Sequence, residues 1–248
     1  FGTVINAAYG IANQVAGQVN FFANSLFVSM NPQIMKAEGA GERKKMFMLA
    51  MLASKWGFFL LAVIAIPCIF EMPSILAFWL KEVPEYTVSF CRLILIAVLM
   101  NQLTIGLISA NQAIGKMKNY TLTVCIIRMM ILPLGYILLK NGFAVEMVLC
   151  GYILTECIAS FARLCLLKRN GGLDVVCFVK QVFCKELLPT FLLFIYWIIV
   201  IYNIQSEYRF FYTLPISILF FGICIYYLGG IDQNEKKTIR RIMQRIKN

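Results

Sequence analysis

Stretches of about twenty consecutive apolar residues recur along the chain, and they limit its possible folds more than any other feature. A helix of about twenty apolar residues is long enough to cross the hydrocarbon core of a bilayer. The chain does not show the short alternating segments typical of a transmembrane β-barrel. We therefore predict an all-α fold, a polytopic transmembrane helix bundle of about seven spans. The predicted spans are 1–30, 46–70, 87–113, 120–139, 144–167, 187–204 and 208–228.

Basic residues are unevenly distributed between the connections. Sixteen Lys and Arg residues lie in 31–45, 114–119, 168–186 and 229–248, whereas only three lie in the connections that alternate with these. The positive-inside rule places the basic connections and the C-terminus in the cytoplasm. The net charge of +11 is then a topology signal, to which anionic membrane lipid can contribute. We predict no nucleic-acid partner, because no soluble module is visible that would carry one.

The same pattern divides the chain into four parts. Residues 1–167 form the five-helix portion of a bundle, 187–228 form the last two spans, and 229–248 form a basic tail. Residues 168–186 are predicted to contain a cytoplasmic helix lying in the membrane interface, since Asp174, Gln181 and Lys185 share one face and apolar residues lie opposite. A linker helix packed on the bundle is the alternative.

Motifs for catalysis or metal binding are absent from the sequence. The chain has no His, and its nine Cys residues form no CxxC pair, which excludes a Cys/His metal site. Gly115 and Lys116 lack the other residues of a phosphate-binding loop, so no ATP site is predicted. We expect a protein that is not an enzyme, with no catalytic residues, metal or cofactor.

The first predicted span carries a stripe of amide side chains. Within "NAAYGIANQVAGQVNFFANS", residues 6–25, there is no charge but there are six Asn or Gln residues. At 100° per residue the stripe members fall within about 60° of one another. They are Asn6, Asn13, Gly17, Asn20, Asn24 and Asn31. This arrangement predicts that one side of the helix faces a polar or hydrated space, with Asn13, Asn20 and Asn24 as lining residues.

Ionisable residues within the spans are the other candidates, because each is costly in a bilayer unless it faces a partner or water. If the first two helices fold back around residue 38, Lys55 comes level with residue 21 and therefore with the stripe. We predict a hydrated cavity lined by Lys55 and the amides. Asn101 belongs to a second group of polar residues, in the third span, for which hydrogen bonding between helices is the alternative.

Arg128 and Glu156 are equidistant from a turn near residue 142, which predicts similar depths on antiparallel neighbours. Two interpretations remain open. Either the two residues form a structural ion pair, or Arg128 faces the cavity and Glu156 adjusts its charge. Arg92 and Arg163 lie near opposite membrane surfaces, where long side chains can extend to the interface.

Several stretches resemble one known family. "VINAAYGIANQVAGQVNFFANSLFVSMNPQIMKAEGAGERKKM", "ILAFWLKEVPEYTVSFCRLILI" and "SANQAIGKMKNY" are similar, in this order, to the C-terminal half of Wzx-type O-antigen and lipid-linked oligosaccharide flippases. These belong to the multidrug/oligosaccharidyl-lipid/polysaccharide exporter superfamily. The resemblance covers essentially the whole chain. It implies one half of a two-bundle, alternating-access transporter in the bacterial inner membrane, with the N-terminal half of the same chain as its partner.

The resemblance implies translocation of polyprenyl-diphosphate-linked oligosaccharide for surface polysaccharide biosynthesis. The deep ionisable residues agree with an anionic substrate, because Lys55 and Arg128 suit a pyrophosphate and Glu156 is the only deep acid. The amides suit sugar hydroxyls. A multidrug/cation antiporter of the same superfamily is one alternative, which requires an acidic coupling site elsewhere. A membrane glycosyl- or acyltransferase is the other, which requires a catalytic loop not visible in this chain.

Overall fold

The computed structural model describes residues 2–204 and 209–228, and every regular element in these ranges is helical. The helices are α1 (Thr3–Gly39), α2 (Arg43–Trp79), α3 (Thr87–Gln102), α4 (Gly106–Ile114), α5 (Met117–Met129), α6 (Ile131–Lys140), α7 (Val145–Gly171), α8 (Val175–Phe178), α9 (Cys184–Asn203) and α10 (Arg209–Tyr227). A π-helical turn, Val179–Phe183, follows α8. The chain divides into two compact units between Phe183 and Cys184.

Five helical runs in the described part of the chain are long and apolar enough to cross a membrane, which confirms the polytopic all-α fold. They are Arg43–Trp79, Met117–Lys140, Val145–Gly171, Val175–Asn203 and Arg209–Tyr227. The pair α3 and α4, bent by 43° at a short break, makes a sixth if it is one span.

Seven spans are predicted from the sequence, and up to six helical runs are long and apolar enough to cross a membrane. The predicted span that is missing from these six is 1–30. From Thr3 onward it lies in α1, a helix of 37 residues and therefore about 55 Å long. The helix exceeds membrane length, but it does not reach the apolarity of the other spans. The amide stripe is the reason, since each Asn or Gln lowers the mean hydropathy of the segment.

Two helices of the first unit, α1 and α7, each pack against several others. Helix α1 packs against α2, α3 and α4, while α7 packs against α3 and α4 on one side and against α5 and α6 on another. In the second unit α9 packs against α10, where the rings of Tyr196 and Phe220 stack with 5.0 Å between centroids.

The basic connections of the first unit meet at one of its ends. A buried cluster there joins Ile34 of α1, Met46 of α2, Leu107 of α4 and Leu167 of α7. These residues flank the turns in 31–45, 114–119 and 168–174, so these three connections lie on the same side, as the alternation of charge predicts. The basic tail lies outside the described residues. Which side of a membrane this end faces stays a prediction.

Across the α1–α2 turn, Arg43 forms an ion pair with Glu38. The hydrogen bond from Arg43 lowers the pKa of the Glu38 carboxyl below its ordinary value. The pair therefore links the ends of the two longest helices in their charged forms at neutral pH.

The predicted amphipathic segment after α7 is helical. Asp174 caps α8, because its Oδ1 accepts hydrogen bonds from the backbone N–H groups of Val176 and Cys177 at 3.0 and 3.1 Å. Phe178 and Val182 are buried in the core of the first unit, on the apolar face that the sequence predicts. A position in the membrane interface stays a prediction.

At the break between α3 and α4 the backbone of Gly106 lies directly against α2. A Cβ atom added at Gly106 would lie 2.0 Å from the backbone oxygen of Ala50, so only glycine fits at this position. The hydroxyl of Ser54 accepts a hydrogen bond of 3.0 Å from the Gly106 N–H. Because the chain turns at 103–105, this N–H is among the backbone groups that need partners outside their own helix.

Candidate functional site

The two flanks of α1 differ in chemistry. The face packed against the bundle is lined by small residues, including Ala8, Ala12, Ala16 and Ala23, all of which are buried. Small side chains allow helices in membranes to approach closely. The amide stripe lies roughly a quarter-turn away or slightly more around the helix, by its spacing in the sequence, and is therefore not part of this packed face.

The structure places the three predicted lining residues of α1 along this stripe. Asn13 and Asn24 are exposed, and Asn20 is half-buried. Asn13 donates a local hydrogen bond of 2.9 Å to the backbone oxygen of Tyr9. The side-chain oxygen of Asn20 is buried and has no hydrogen-bond partner in the described part of the chain. The stripe is thus a row of amides whose hydrogen-bonding capacity is largely unused.

Lys55 lies inside the packed part of α2 and is only 2% exposed. Its ammonium group lies 5.7 Å from the centroid of the Trp56 ring, within the range of a cation–π interaction. The residue before it, Ser54, bonds to Gly106 at the helix break. In this conformation Lys55 is therefore enclosed by protein and is not lining an open cavity.

Arg128 and Glu156 are in contact, as their equal distance from the α6–α7 turn predicts. Arg128 Nε lies 2.8 Å from Glu156 Oε1, and Arg128 Nη2 donates to Oε2 at 2.9 Å. Asn101 joins them, because its side-chain oxygen accepts a hydrogen bond of 3.2 Å from the same Nη2. Three of the predicted site residues, from α3, α5 and α7, thus form one cluster.

The two members of this ion pair are buried to very different extents. The side chain of Glu156 is 1% exposed, whereas that of Arg128 is 43% exposed. The contacts within the described residues use Nε and Nη2 of Arg128 and leave Nη1 without a hydrogen bond. A guanidinium has five N–H donors in a planar fork, so Arg128 can hold Glu156 and still offer donors to an anion.

Arg163 does not extend to the membrane surface, and the sequence-based expectation for it was wrong. The residue is 1% exposed, and its Nη1 donates to the backbone oxygen of Asn101 at 3.3 Å and to the Thr104 hydroxyl at 3.0 Å. The hydroxyl of Ser160 donates to the backbone oxygen of Met100 at 3.0 Å. The backbone oxygens of Met100 and Asn101 lie in the last turn of α3, which ends at Gln102 and therefore provides them with no i+4 helical donor.

Arg92 also bonds to a helix backbone. It is half-buried, and its Nε donates to the backbone oxygen of Ile69 at 2.8 Å. That oxygen would ordinarily accept from residue 73, but Pro73 has no N–H. Arg92 replaces the hydrogen bond that Pro73 removes from α2.

An apolar cavity of about 390 Å³ lies between α1, α3, α6 and α7. Seven of its lining residues are apolar, and Asn6, Tyr9 and Tyr152 are polar. Tyr152 lies close enough to Glu156 and Arg128 to interact with both electrostatically. The cavity is lined by Ile5, Asn6, Tyr9, Phe90, Ile131, Leu139, Val145, Val148, Leu149 and Tyr152.

Sequence reasoning missed this cavity and its two tyrosines. A signal was present, since Tyr152 precedes Glu156 by one helical turn and Tyr9 lies between Asn6 and Asn13 of the stripe. Tyrosines within spans were not considered as site residues, although their hydroxyls usually seek polar partners when buried. The cavity itself depends on how four helices pack, which no local pattern specifies.

Among the described residues there is no group of three or more His, Cys, Asp or Glu side chains that could hold a metal ion. All nine cysteines are free thiols, and five of them, at 125, 150, 157, 165 and 184, are on exposed helix faces.

No protein-family model, curated protein or solved structure matches this chain.

Proposed function

We propose that this chain belongs to a flippase that moves polyprenyl-diphosphate-linked oligosaccharides across the bacterial inner membrane. The chain would form one of two bundles that open alternately to the two sides, as the sequence resemblance implies. The observation that carries the proposal is Arg128, a partly exposed arginine within the membrane-length run Met117–Lys140, whose Nη1 is available while Nε and Nη2 contact the buried Glu156.

The chemistry of the cluster supports an anionic head group. An arginine in a membrane span costs about 2.5–3.5 kcal/mol or more without a partner, and Glu156 compensates this charge. A pyrophosphate offers several oxygens to the free edge of the guanidinium, in the bidentate geometry that arginine favours. Glu156 then holds the guanidinium of Arg128 in position.

The amide stripe supports a sugar-bearing substrate. Asn13, Asn20 and Asn24 present both donors and acceptors along one flank of α1, and sugar hydroxyls require both. Lys55 is enclosed in this conformation, so a role in binding requires that α1 and α2 separate during the transport cycle.

A cation antiporter is the runner-up. Such a transporter needs a buried carboxylate that is free to exchange cations, and the carboxylate of the predicted site, Glu156, is held by Arg128 at two points. This observation favours the flippase. Loss of cationic dye efflux in Glu156→Gln, with glycan export unchanged, would instead favour the antiporter.

The test replaces both charges of the ion pair and so avoids leaving one of them buried alone. The double variant Arg128→Gln, Glu156→Gln is expressed in the full-length protein, in a strain without its own flippase. We expect normal abundance in the membrane and surface glycan reduced by about tenfold or more, since the head-group ligand is gone. Arg169→Gln, which removes an exposed cation at the basic end, is the matched control and should export normally. Normal export by the double variant would contradict the proposal.

A further inference from the structure

The apolar cavity and the Arg128–Glu156 pair lie next to each other along two helical runs, Met117–Lys140 and α7. Ile131, on the cavity wall, follows Arg128 by three residues, and Tyr152, also on the wall, precedes Glu156 by four. In helices these spacings correspond to about one turn, or roughly 5 Å along the axis. The cavity therefore begins about one helical turn along the backbone from Arg128 and Glu156.

The wall of the cavity suits a hydrocarbon chain. Ile5, Val145 and Leu149 contribute aliphatic surface from α1 and α7, and its volume of about 390 Å³ is within the ordinary range for ligand sites. The polar groups on the wall, Asn6, Tyr9 and Tyr152, bring no net charge into it. An apolar space beside one accessible guanidinium is complementary to an amphiphile with one chain and an anionic head.

We propose that this cavity binds the part of the polyisoprenoid chain nearest the phosphates, while the diphosphate lies at Arg128. The inference rests on the proposed function and adds a second subsite to it. One cavity beside one accessible arginine fits a lipid with a single chain, whereas a bilayer phospholipid brings two. We commit to the substrate's own chain as the occupant.

The physical role of the cavity is positional. Moving a hydrocarbon chain from lipid into an apolar cavity gains little from the hydrophobic effect, because lipid tails are as apolar as the cavity wall. Shape-matched contacts with the wall are then what distinguishes this cavity from bulk lipid. We therefore expect the head group to provide most of the affinity and the cavity to select the chain and its orientation.

The experiment compares two neighbouring positions on α6. Ile131→Trp fills the cavity, and Leu132→Trp is its matched control, since Leu132 is 72% exposed and does not line the cavity. The full-length protein in nanodiscs is titrated with a long-chain polyprenyl diphosphate and with inorganic pyrophosphate. We expect Ile131→Trp to weaken binding of the long-chain probe by about tenfold and to leave pyrophosphate unchanged. Leu132→Trp should alter neither.

Other outcomes overturn one proposal or the other. Equal effects of the two tryptophans, or weaker pyrophosphate binding by Ile131→Trp, would rule out the chain subsite and leave the flippase proposal standing. Unchanged pyrophosphate binding by Arg128→Gln, Glu156→Gln would remove the head-group site on which the proposed function rests. Competition by phosphatidylglycerol as strong as that by the long-chain probe would identify the occupant as a phospholipid and contradict our assignment.

A second measurement needs no variant and therefore no assumption about folding. A polyprenyl diphosphate carrying a diazirine on its first isoprene units is photolysed with the unmodified protein, and labelled peptides are mapped by mass spectrometry. We expect label concentrated on the lining residues of α6 and α7, which are Ile131, Leu139, Val145, Val148, Leu149 and Tyr152. Label spread evenly over the lipid-facing sides of the helices would overturn the subsite.

Discussion

At the scale of single residues, the difference in burial within the ion pair decides how each member responds to mutation. The side chain of Glu156 is almost completely buried, whereas nearly half of the Arg128 side chain is exposed. Removing Arg128 leaves a buried carboxylate alone, while removing the charge of Glu156 leaves a cation that polar surroundings can still solvate. If only the attraction between the two charges mattered, removing either charge would destabilise the protein equally.

We predict that the two single variants differ in stability. Arg128→Met should destabilise the protein by about 3–5 kcal/mol, as expected for an uncompensated buried charge, and Glu156→Gln by clearly less. The double variant Arg128→Met, Glu156→Gln should recover most of the loss. Abundance in the membrane and the fraction remaining monomeric after heating in detergent measure this order. Equal losses in the two single variants would show that both charges are equally buried during function.

At the scale of helices, single residues accommodate one irregularity in α2 and another at the start of α4. In α2, Pro73 removes the N–H that Ile69 would use, and Arg92 from α3 supplies a donor at 2.8 Å. At the start of α4, Gly106 allows the backbone to lie against α2. Both cases link an irregularity in one helix to a specific residue that accommodates it.

The link between Arg92 and Pro73 predicts non-additive mutations. Arg92→Gln should destabilise the protein by about 1–3 kcal/mol, because the Ile69 oxygen then lacks a strong donor. In a Pro73→Ala background residue 73 can donate to this oxygen, so the same substitution should cost markedly less. Unfolding in a denaturant series, compared over the four proteins of the cycle, gives the coupling. Additive effects would mean that Arg92 does not compensate for the proline.

Glycine substitutions test the contact between α2 and α4. Gly106→Ala brings a methyl group to within 2.0 Å of the Ala50 oxygen, so the helices must separate, and we expect abundance to fall severalfold. Gly10→Ala is the control, because nothing lies within 4 Å of its added Cβ and alanine favours a helix. It should be neutral or stabilising in a thermal aggregation assay. Tolerance of Gly106→Ala would show that this close approach is not required.

For the whole molecule, the basic connections of the first unit lie at one end, around a shared buried cluster, which agrees with their alternation along the chain. By the positive-inside rule we predict that this end faces the cytoplasm. The structure shows which connections of the first unit lie at the same end, and the charges predict which side of the membrane that end faces.

Cysteine labelling in a Cys-free background measures this orientation. We predict that a cysteine at position 43 is protected from an impermeant thiol reagent applied to intact cells. A cysteine at position 83, in the connection between α2 and α3 at the opposite end, should be labelled. Permeabilisation should make position 43 reactive as well. Labelling of position 43 in intact cells would reverse the assignment.

The sequence determined the helical class, most of the spans and the face of α1 that carries amides, because these follow from apolar length and from a period of 3.6 residues. It also placed Arg128 and Glu156 at one depth, since both are counted from one turn. It did not determine that α3 ends inside the bundle, that Arg163 is buried there, or that a cavity lies beside Tyr152. These features depend on which helices pack together and how closely, and the tertiary structure decided them through contacts between residues far apart in the chain.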